Sequence, residues 1–333
     1  MKTIGIIGGG QLAQLLALSA YHLGLNTLCF VDDANCPAKR TSPIFVAHLD
    51  DEKALDLFAH QVDVITIENE NINTSTLDYL AKQKPVYPNV NAVKIAQDRL
   101  LEKQFFQTHN IFTTDFFAIN SAADFMPNHH NGILKTRRFG YDSKGQMRVK
   151  SNTDLTNAWK ALNKPAIFEA FVDFDYEVSL LIARNSQGDI QPFPLIHNEH
   201  QAGILRRSRF DERDALLQKQ AESIGADILN ALNYVGVLAI EFFVKDNLLI
   251  ANEMAPRVHN SGHLTIEGCN VSQFEQHLRA ITGKLLIVPK IIQSVEMHNI
   301  IGEWPKDLSL FQHVYDYGKK PREKRKLGHG IIV

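Results

Sequence analysis

Three short apolar runs, at Thr3–Ile7, residues 27–31 and residues 62–67, are separated by helical stretches at residues 12–23 and near residues 52–59. Strands that alternate with helices on so short a spacing pair side by side in one direction. The first 90 residues therefore read as a parallel, doubly wound α/β unit. Pro85 and Pro88 punctuate its end, and an amphipathic helix is predicted over residues 93–108, which sets a boundary near residue 95. Residues 110–170 read as a small lobe in which strands Gly132–Thr136 and Gln146–Val149 flank a glycine-containing loop. Beyond 171 come long apolar strands broken by turns, notably at residues 234–244 and 248–251. Three domains are expected, at 1–95, 96–170 and 171–333, in keeping with 333 residues, more than the roughly 250 to 300 that one core holds.

Composition removes whole classes of function. Thirty-five basic residues against 37 acidic ones leave a formal charge of −2, so no global field recruits nucleic acid or a membrane surface. Cys29, Cys36 and Cys269 are too few and too scattered for a disulfide framework or a zinc site. No run approaches the roughly 18 apolar residues of a membrane span, so the chain is expected in the cytoplasm.

Gly8-Gly9-Gly10-Gln11-Leu12-Ala13 follows a strand, opens a helix and fits G-x-G-x-x-A, with Asp32 and Asp33 where a ribose-binding acid belongs. The physical content is broader than NAD binding. Glycines admit a close backbone approach and a helix N-terminus favours an anion, so another phosphorylated ligand fits better than NAD, and a purely structural turn is a further alternative.

Two glutamates stand out. Glu241 lies inside the apolar run Val237-Leu238-Ala239-Ile240-Glu241-Phe242-Phe243-Val244, and Glu253 follows Leu248-Leu249-Ile250-Ala251-Asn252. A hairpin centred on Asn247 would make them cross-strand partners with Cβ atoms about 5 Å apart. Such a pair repels unless a cation neutralises it, and hard oxygen ligands suit Mg²⁺ shared with substrate phosphates. The alternatives are a separate basic partner for each glutamate, or a slipped register. Lys135 sits in the apolar strand before Gly140-Tyr141-Asp142-Ser143-Lys144-Gly145-Gln146, a loop whose amides could turn toward phosphate oxygens. An ordinary hairpin with a snorkelling lysine would look the same.

The stretches Gln97-Asp98-Arg99-Leu100-Leu101-Glu102-Lys103, Gly140 to Gln146 and Asn252-Glu253-Met254-Ala255-Pro256-Arg257-Val258-His259-Asn260-Ser261-Gly262-His263 resemble the 5-(carboxyamino)imidazole ribonucleotide synthases. The likeness also takes in Gly8 to Leu12, Glu68-Asn69-Glu70-Asn71 and Ser272 to Ala280, in order along nearly the whole chain. It implies an ATP-grasp fold with a Rossmann-like N-terminal domain, a small lid lobe and a C-terminal α+β lobe. It further implies ATP, Mg²⁺, bicarbonate and aminoimidazole ribonucleotide as reactants, passage through carboxyphosphate, and a homodimer. On the matching positions the resemblance assigns Arg99 and Lys135 to the nucleotide phosphates, under a closing loop of Gly140, Tyr141, Asp142, Ser143, Lys144, Gly145 and Gln146. It assigns Glu169, Ala170, Phe171 and Val172 to adenine, Glu177 to the ribose, and His200, Asn252 and Glu253 to the rest of the nucleotide. Glu241 and Glu253 match metal carboxylates. Asp142, Arg257, His259, Asn260 and Lys319 are expected at the reacting centre, and Gln11, Leu12, Glu70, Tyr141, Lys319, Arg325 and Lys326 against the ribonucleotide.

The chain departs from the family pattern at Phe139 and Ser143, which replace two loop glycines, and at Ala13 and Gln14 in the first helix. The basic tail from Lys319 to Lys326 would be plain solvated charge if it met no phosphate. Rival readings are a formate-dependent glycinamide ribonucleotide transformylase on the same scaffold and a nucleotide-binding regulator without catalysis.

Overall fold

The computed structural model describes residues 1–125, 131–140, 145–210 and 215–333. A five-stranded parallel sheet holds, in spatial order, Ile44–Val46, Asn26–Val31, Thr3–Ile7, Val64–Ile67 and Val86–Tyr87. Its inner strands Thr3–Ile7 and Val64–Ile67 are buried on both faces, which is why they read as apolar runs. The helices that cover it start where a side chain can satisfy their free amides. Asp51 accepts from the Ala54 amide at 3.1 Å before Glu52–His60, and Asn73 accepts from Ser75 before Thr74–Ala81.

The long helix predicted over 93–108 is two helices, Val90–Ala96 and Arg99–Thr108. Asp98 breaks it, because its carboxylate accepts from the Leu100 amide at 3.1 Å and caps the second helix. The same carboxylate takes Arg137 in a two-pronged contact at 3.0 and 2.8 Å, tying this break to the small lobe. That lobe is a four-stranded antiparallel sheet in the order Phe116–Ile119, Ala166–Ala170, Gly132–Thr136, Gln146–Val149.

Among the described residues the third sheet is antiparallel throughout and nine-stranded. Its path runs Leu248–Ala255, Gly236–Lys245, Tyr176–Arg184, Ile196–Gln201, Ile204–Phe210, Glu296–Ile301, Lys326–Ile332 and His313–Asp316, with Ile190–Pro192 beside Tyr176–Arg184. The basic stretch expected as a tail is instead the connection between the last two of these strands, so Lys326 belongs to the sheet itself. Leu181, Val237 and Ala239 of this sheet share one buried core with Leu12, Leu15 and Leu16 of the first helix, Gln11–His22. No helix among the described residues is long and apolar enough to cross a membrane.

Candidate active site

The glycine turn is filled from within. Glu68, one residue past strand Val64–Ile67, accepts from the Gly10 amide at 2.7 Å and the Ala13 amide at 3.2 Å. A Cβ at Gly8 would lie 2.4 Å from the Glu68 side chain and one at Gly10 2.6 Å, so the glycines make room for this carboxylate. Burial pushes the Glu68 carboxyl up, against the pull of the two amides. The anion at the helix N-terminus is the protein's own, which removes the dinucleotide reading of the motif.

The acidic hairpin places Glu241 opposite Glu253. It does so by a different route from the expected turn centred on Asn247. Asp246 and Asn247 form a two-residue turn at φ 49° and 60°, the twist that favours tight hairpins, so Lys245 pairs with Leu248. From that turn Glu241 would meet Asn252. A bulge at Asn252 shifts the register, and Glu253 moves opposite Glu241. Burial, and then repulsion from Glu253, raises the Glu241 carboxyl to about 7. Among the described residues the Glu253 carboxylate accepts no hydrogen bond. Nearby, His200 Nδ1 stands 2.6 Å from Glu177 Oε2; burial pulls the imidazole down, but Glu177 and Glu241 together carry it above its ordinary value. His259 Nε2 lies 3.6 Å from Glu241. Its Nδ1 accepts from the Ser261 amide at 3.3 Å, and burial together with Arg257 keeps the ring neutral, so the proton sits on the nitrogen facing Glu241.

On the small lobe Lys135 donates to Glu169 at 2.9 Å in a buried pair, with Lys103 3.9 Å from the same carboxylate. Burial pushes Glu169 up, yet the two lysines hold it below the usual carboxylate range. Arg99 donates to the carbonyls of Thr136 at 3.1 Å and Gly140 at 2.9 Å, so the helix that begins the second domain holds both ends of the strand-to-loop passage. Gly145, at φ 70°, packs so closely that a Cβ would lie 2.5 Å from Thr136 Oγ1, and Gln146 pairs with Lys135 across the hairpin. Phe139 holds a left-handed backbone at φ 62°, the conformation that glycine adopts without cost. Tyr141, Asp142, Ser143 and Lys144 lie outside the described residues. Ala170 and Phe171 continue the Glu169 strand toward Val172, with the Arg148 guanidinium 4.0 Å above the Phe171 ring.

Several expected groups are engaged elsewhere. Arg257 grips Glu70 through two contacts, at 2.5 and 3.1 Å, and this pair joins the first and third sheets' territories. Asn260 exchanges amide hydrogen bonds with Asn299, at 3.0 and 2.6 Å, which commits its side chain to the fold. Leu12 is 6% exposed within the core, leaving only its backbone for a ligand. Lys319 donates to Gln11, bringing the basic connection onto the first helix, whereas the Arg325 side chain donates to the Lys320 carbonyl, at 3.4 Å.

Sequence reasoning passed over Glu68, Glu102 and Lys103. A signal existed for Glu68: in a parallel sheet the residue after one strand lies beside the turn that follows its neighbour, here the Gly8 turn. Glu102 and Lys103 are 2% and 1% exposed on a helix whose polar pattern looks solvated, and only tertiary contacts reveal them.

Comparison with known proteins agrees along the chain. A ribonucleotide synthetase preATP-grasp domain matches residues 1–97 and an ATP-grasp domain matches residues 104–274. The N5-carboxyaminoimidazole ribonucleotide synthase of Brucella melitensis is 43% identical, over 98% of this chain and 95% of its own. That of Pseudomonas aeruginosa is 41% identical, over 99% and 94%. Among solved structures, the Thermus thermophilus synthetase superposes with a TM-score of 0.91 at 40% identity, covering 99% of this chain and 93% of that one. The Aspergillus clavatus synthase in complex with ADP and 5-aminoimidazole ribonucleotide gives 0.88 at 26% identity, covering 100% and 93%. The parallel sheet, the lid-like small sheet and the acidic hairpin are those of an ATP-grasp ligase, and the chain belongs to the N5-carboxyaminoimidazole ribonucleotide synthase family.

Proposed function

We propose that this enzyme carboxylates the exocyclic amine of 5-aminoimidazole ribonucleotide with ATP and bicarbonate, giving the N5-carboxyamino product, ADP and phosphate. One observation carries the reading: a buried hairpin sets Glu241 against Glu253 with no donor of its own on Glu253. Among the described residues no three His, Cys, Asp or Glu side chains gather as a metal-binding group, so this pair suits a cation that takes its remaining ligands from phosphates. Glu241 and Glu253 would hold Mg²⁺, which supplies charge neutralisation of the nucleotide phosphates when bound.

The chain's own residues account for the rest. Lys135 offers a fixed positive charge at the phosphates, steadied by Glu169, and Arg99 fixes the carbonyl of Gly140, where the closing loop starts. His200 and Glu177, paired on adjacent strands, take the ribose side of the nucleotide. Transfer of the γ-phosphoryl group to a bicarbonate oxygen releases ADP and leaves carboxyphosphate. The amine then takes the carboxyl carbon as phosphate departs, and Asp142 receives the amine proton. Arg257, oriented by Glu70, and neutral His259 stand past the metal strand as donors for the departing phosphate. Lys319, Arg325 and Lys326 hold the ribonucleotide phosphate, with Gln11 placing Lys319. The three lobes 1–95, 96–170 and 171–333 divide this work as acceptor platform, lid and metal floor. A homodimer in the cytoplasm is the working form.

The test is ADP release with each cosubstrate withheld in turn. Release should require ATP, Mg²⁺, bicarbonate and 5-aminoimidazole ribonucleotide together. Release with formate and glycinamide ribonucleotide instead would overturn the reading.

A further inference from the structure

The bulge at Asn252 decides which face of the sheet Glu253 occupies. From the Asp246-Asn247 turn the pairing runs Lys245 with Leu248, Val244 with Leu249, Phe243 with Ile250 and Phe242 with Ala251. Continued without a break, it would set Glu253 against Ile240, which is fully buried in an apolar core with Leu180 and Phe242. One extra residue turns Glu253 over to the face of Glu241, since side chains alternate along a strand. A bulge leaves backbone groups without ladder partners, and this one lies on the edge strand of the sheet.

Two adjacent side chains, helped by Thr113, take up those groups. Lys103 donates to the Asn252 carbonyl at 2.8 Å and the Ala251 carbonyl at 3.2 Å, and Thr113 Oγ1 also donates to Ala251, at 2.6 Å. Glu102 accepts from the Met254 amide at 2.7 Å. The contacts bracket the bulge on both sides, 148 to 152 residues away in sequence. Both side chains are almost wholly buried, where a misfitted charge is costly, so they fix one register rather than tolerate several.

We propose that Glu102 and Lys103 are positioning residues, a register clamp from helix Arg99–Thr108 that holds the Asn252 bulge and thereby keeps Glu253 facing Glu241. The inference rests on the metal reading of that pair. Its test uses Mn²⁺ as probe, titrated in the presence of ADP and followed by electron paramagnetic resonance, together with hydrogen exchange at the amides of residues 252–254. Glu102→Leu should weaken Mn²⁺ binding and speed exchange at Met254 by about tenfold each, the loss of one buried hydrogen bond, while ADP affinity in chelator stays as in wild type. Glu102→Gln retains an acceptor oxygen and should restore both. Lys103→Met, an uncharged side chain of similar length, provides a second variant should Glu102→Leu fail to fold. Wild-type exchange at 252–254 in either folded variant overturns the clamp. Wild-type Mn²⁺ affinity in Glu102→Leu overturns it too, provided Glu253→Gln has lost Mn²⁺. If Glu253→Gln binds Mn²⁺ normally, the metal assignment has failed instead, and the exchange rates alone decide the clamp.

Discussion

Two pairs of half-buried glutamates are partnered in opposite ways. In the N-terminal lobe, Glu68 is met by two backbone amides and Glu70 by the Arg257 guanidinium, so each negative charge is answered by the protein. Burial pushes the Glu70 carboxyl up, but Arg257 overrides it and holds the group below its ordinary range. In the acidic hairpin Glu253 accepts no hydrogen bond among the described residues and Glu241 has only the more distant His259, at 3.6 Å, and Glu241 rises to about 7. A carboxylate with internal donors builds structure; a facing pair without them leaves work for a cation. On the proposed reading, the same residue type serves as scaffold at one end of the cleft and as ligand at the other.

The largest break in this comparison should come from Glu253→Gln. With one half of the cation's seat gone, turnover should fall by about 10²- to 10³-fold, the scale of losing a major electrostatic contact to the reacting phosphates. In metal-free buffer near neutral pH the same variant should melt higher than wild type, because the repulsion is relieved; a lower melting temperature would place Glu253 among the scaffold carboxylates. Glu70→Ala should do the reverse and destabilise the metal-free fold by about 3 kcal/mol, since the largely desolvated Arg257 loses its carboxylate. Chemical denaturation reads this directly, and an unchanged midpoint would refute it. Lys135→Ala should weaken ATP binding by roughly 2 to 3 kcal/mol in calorimetry, the worth of a charge-assisted contact in a partly dry cleft.

A pH series sharpens the contrast further. The Glu241 carboxyl titrates higher in the folded chain than in the unfolded one, so its contribution to stability is whole below pH 4.5 and is lost as pH rises through about 7. Metal-free protein should thus lose stability on the order of 2 kcal/mol across that window, and Mg²⁺ with ADP should flatten the slope. A flat profile without metal would mean the pair is already compensated. The smallest effect is expected at Phe139. Phe139→Gly removes a left-handed backbone cost of about 1 to 2 kcal/mol but adds unfolded-state entropy, leaving a net gain of about 0.5 kcal/mol in thermal melts.

The parallel lobe was legible because strands buried on both faces print as unbroken apolar runs, and Thr3–Ile7 was readable to the residue. The pairing of Glu241 with Glu253 was legible too, though for an incomplete reason: apolar flanks marked both residues, but a bulge is a tertiary decision that no local pattern carries. The helix break at Asp98 was missed because helical periodicity runs through it, while the capping carboxylate and its arginines speak only in three dimensions. The basic connection looked like a tail because Lys319 to Arg325 is polar, and the strand after it, Lys326–Ile332, is interrupted by Gly328 and Gly330 and holds its β-branched residues, Ile331 and Ile332, back to its end.

Lys319 and Gln11 are 308 residues apart and touch. On a ribosome the nucleotide floor, its acidic hairpin and its lid strands all emerge before the basic connection does. A nascent chain halted after residue 301 has the residues proposed to meet ATP and lacks Lys319, Arg325 and Lys326. If Lys319, Arg325 and Lys326 hold the acceptor as proposed, carboxylation competence arrives late in synthesis, when the strand pair of His313–Asp316 and Lys326–Ile332 docks and carries these cations back to the first helix.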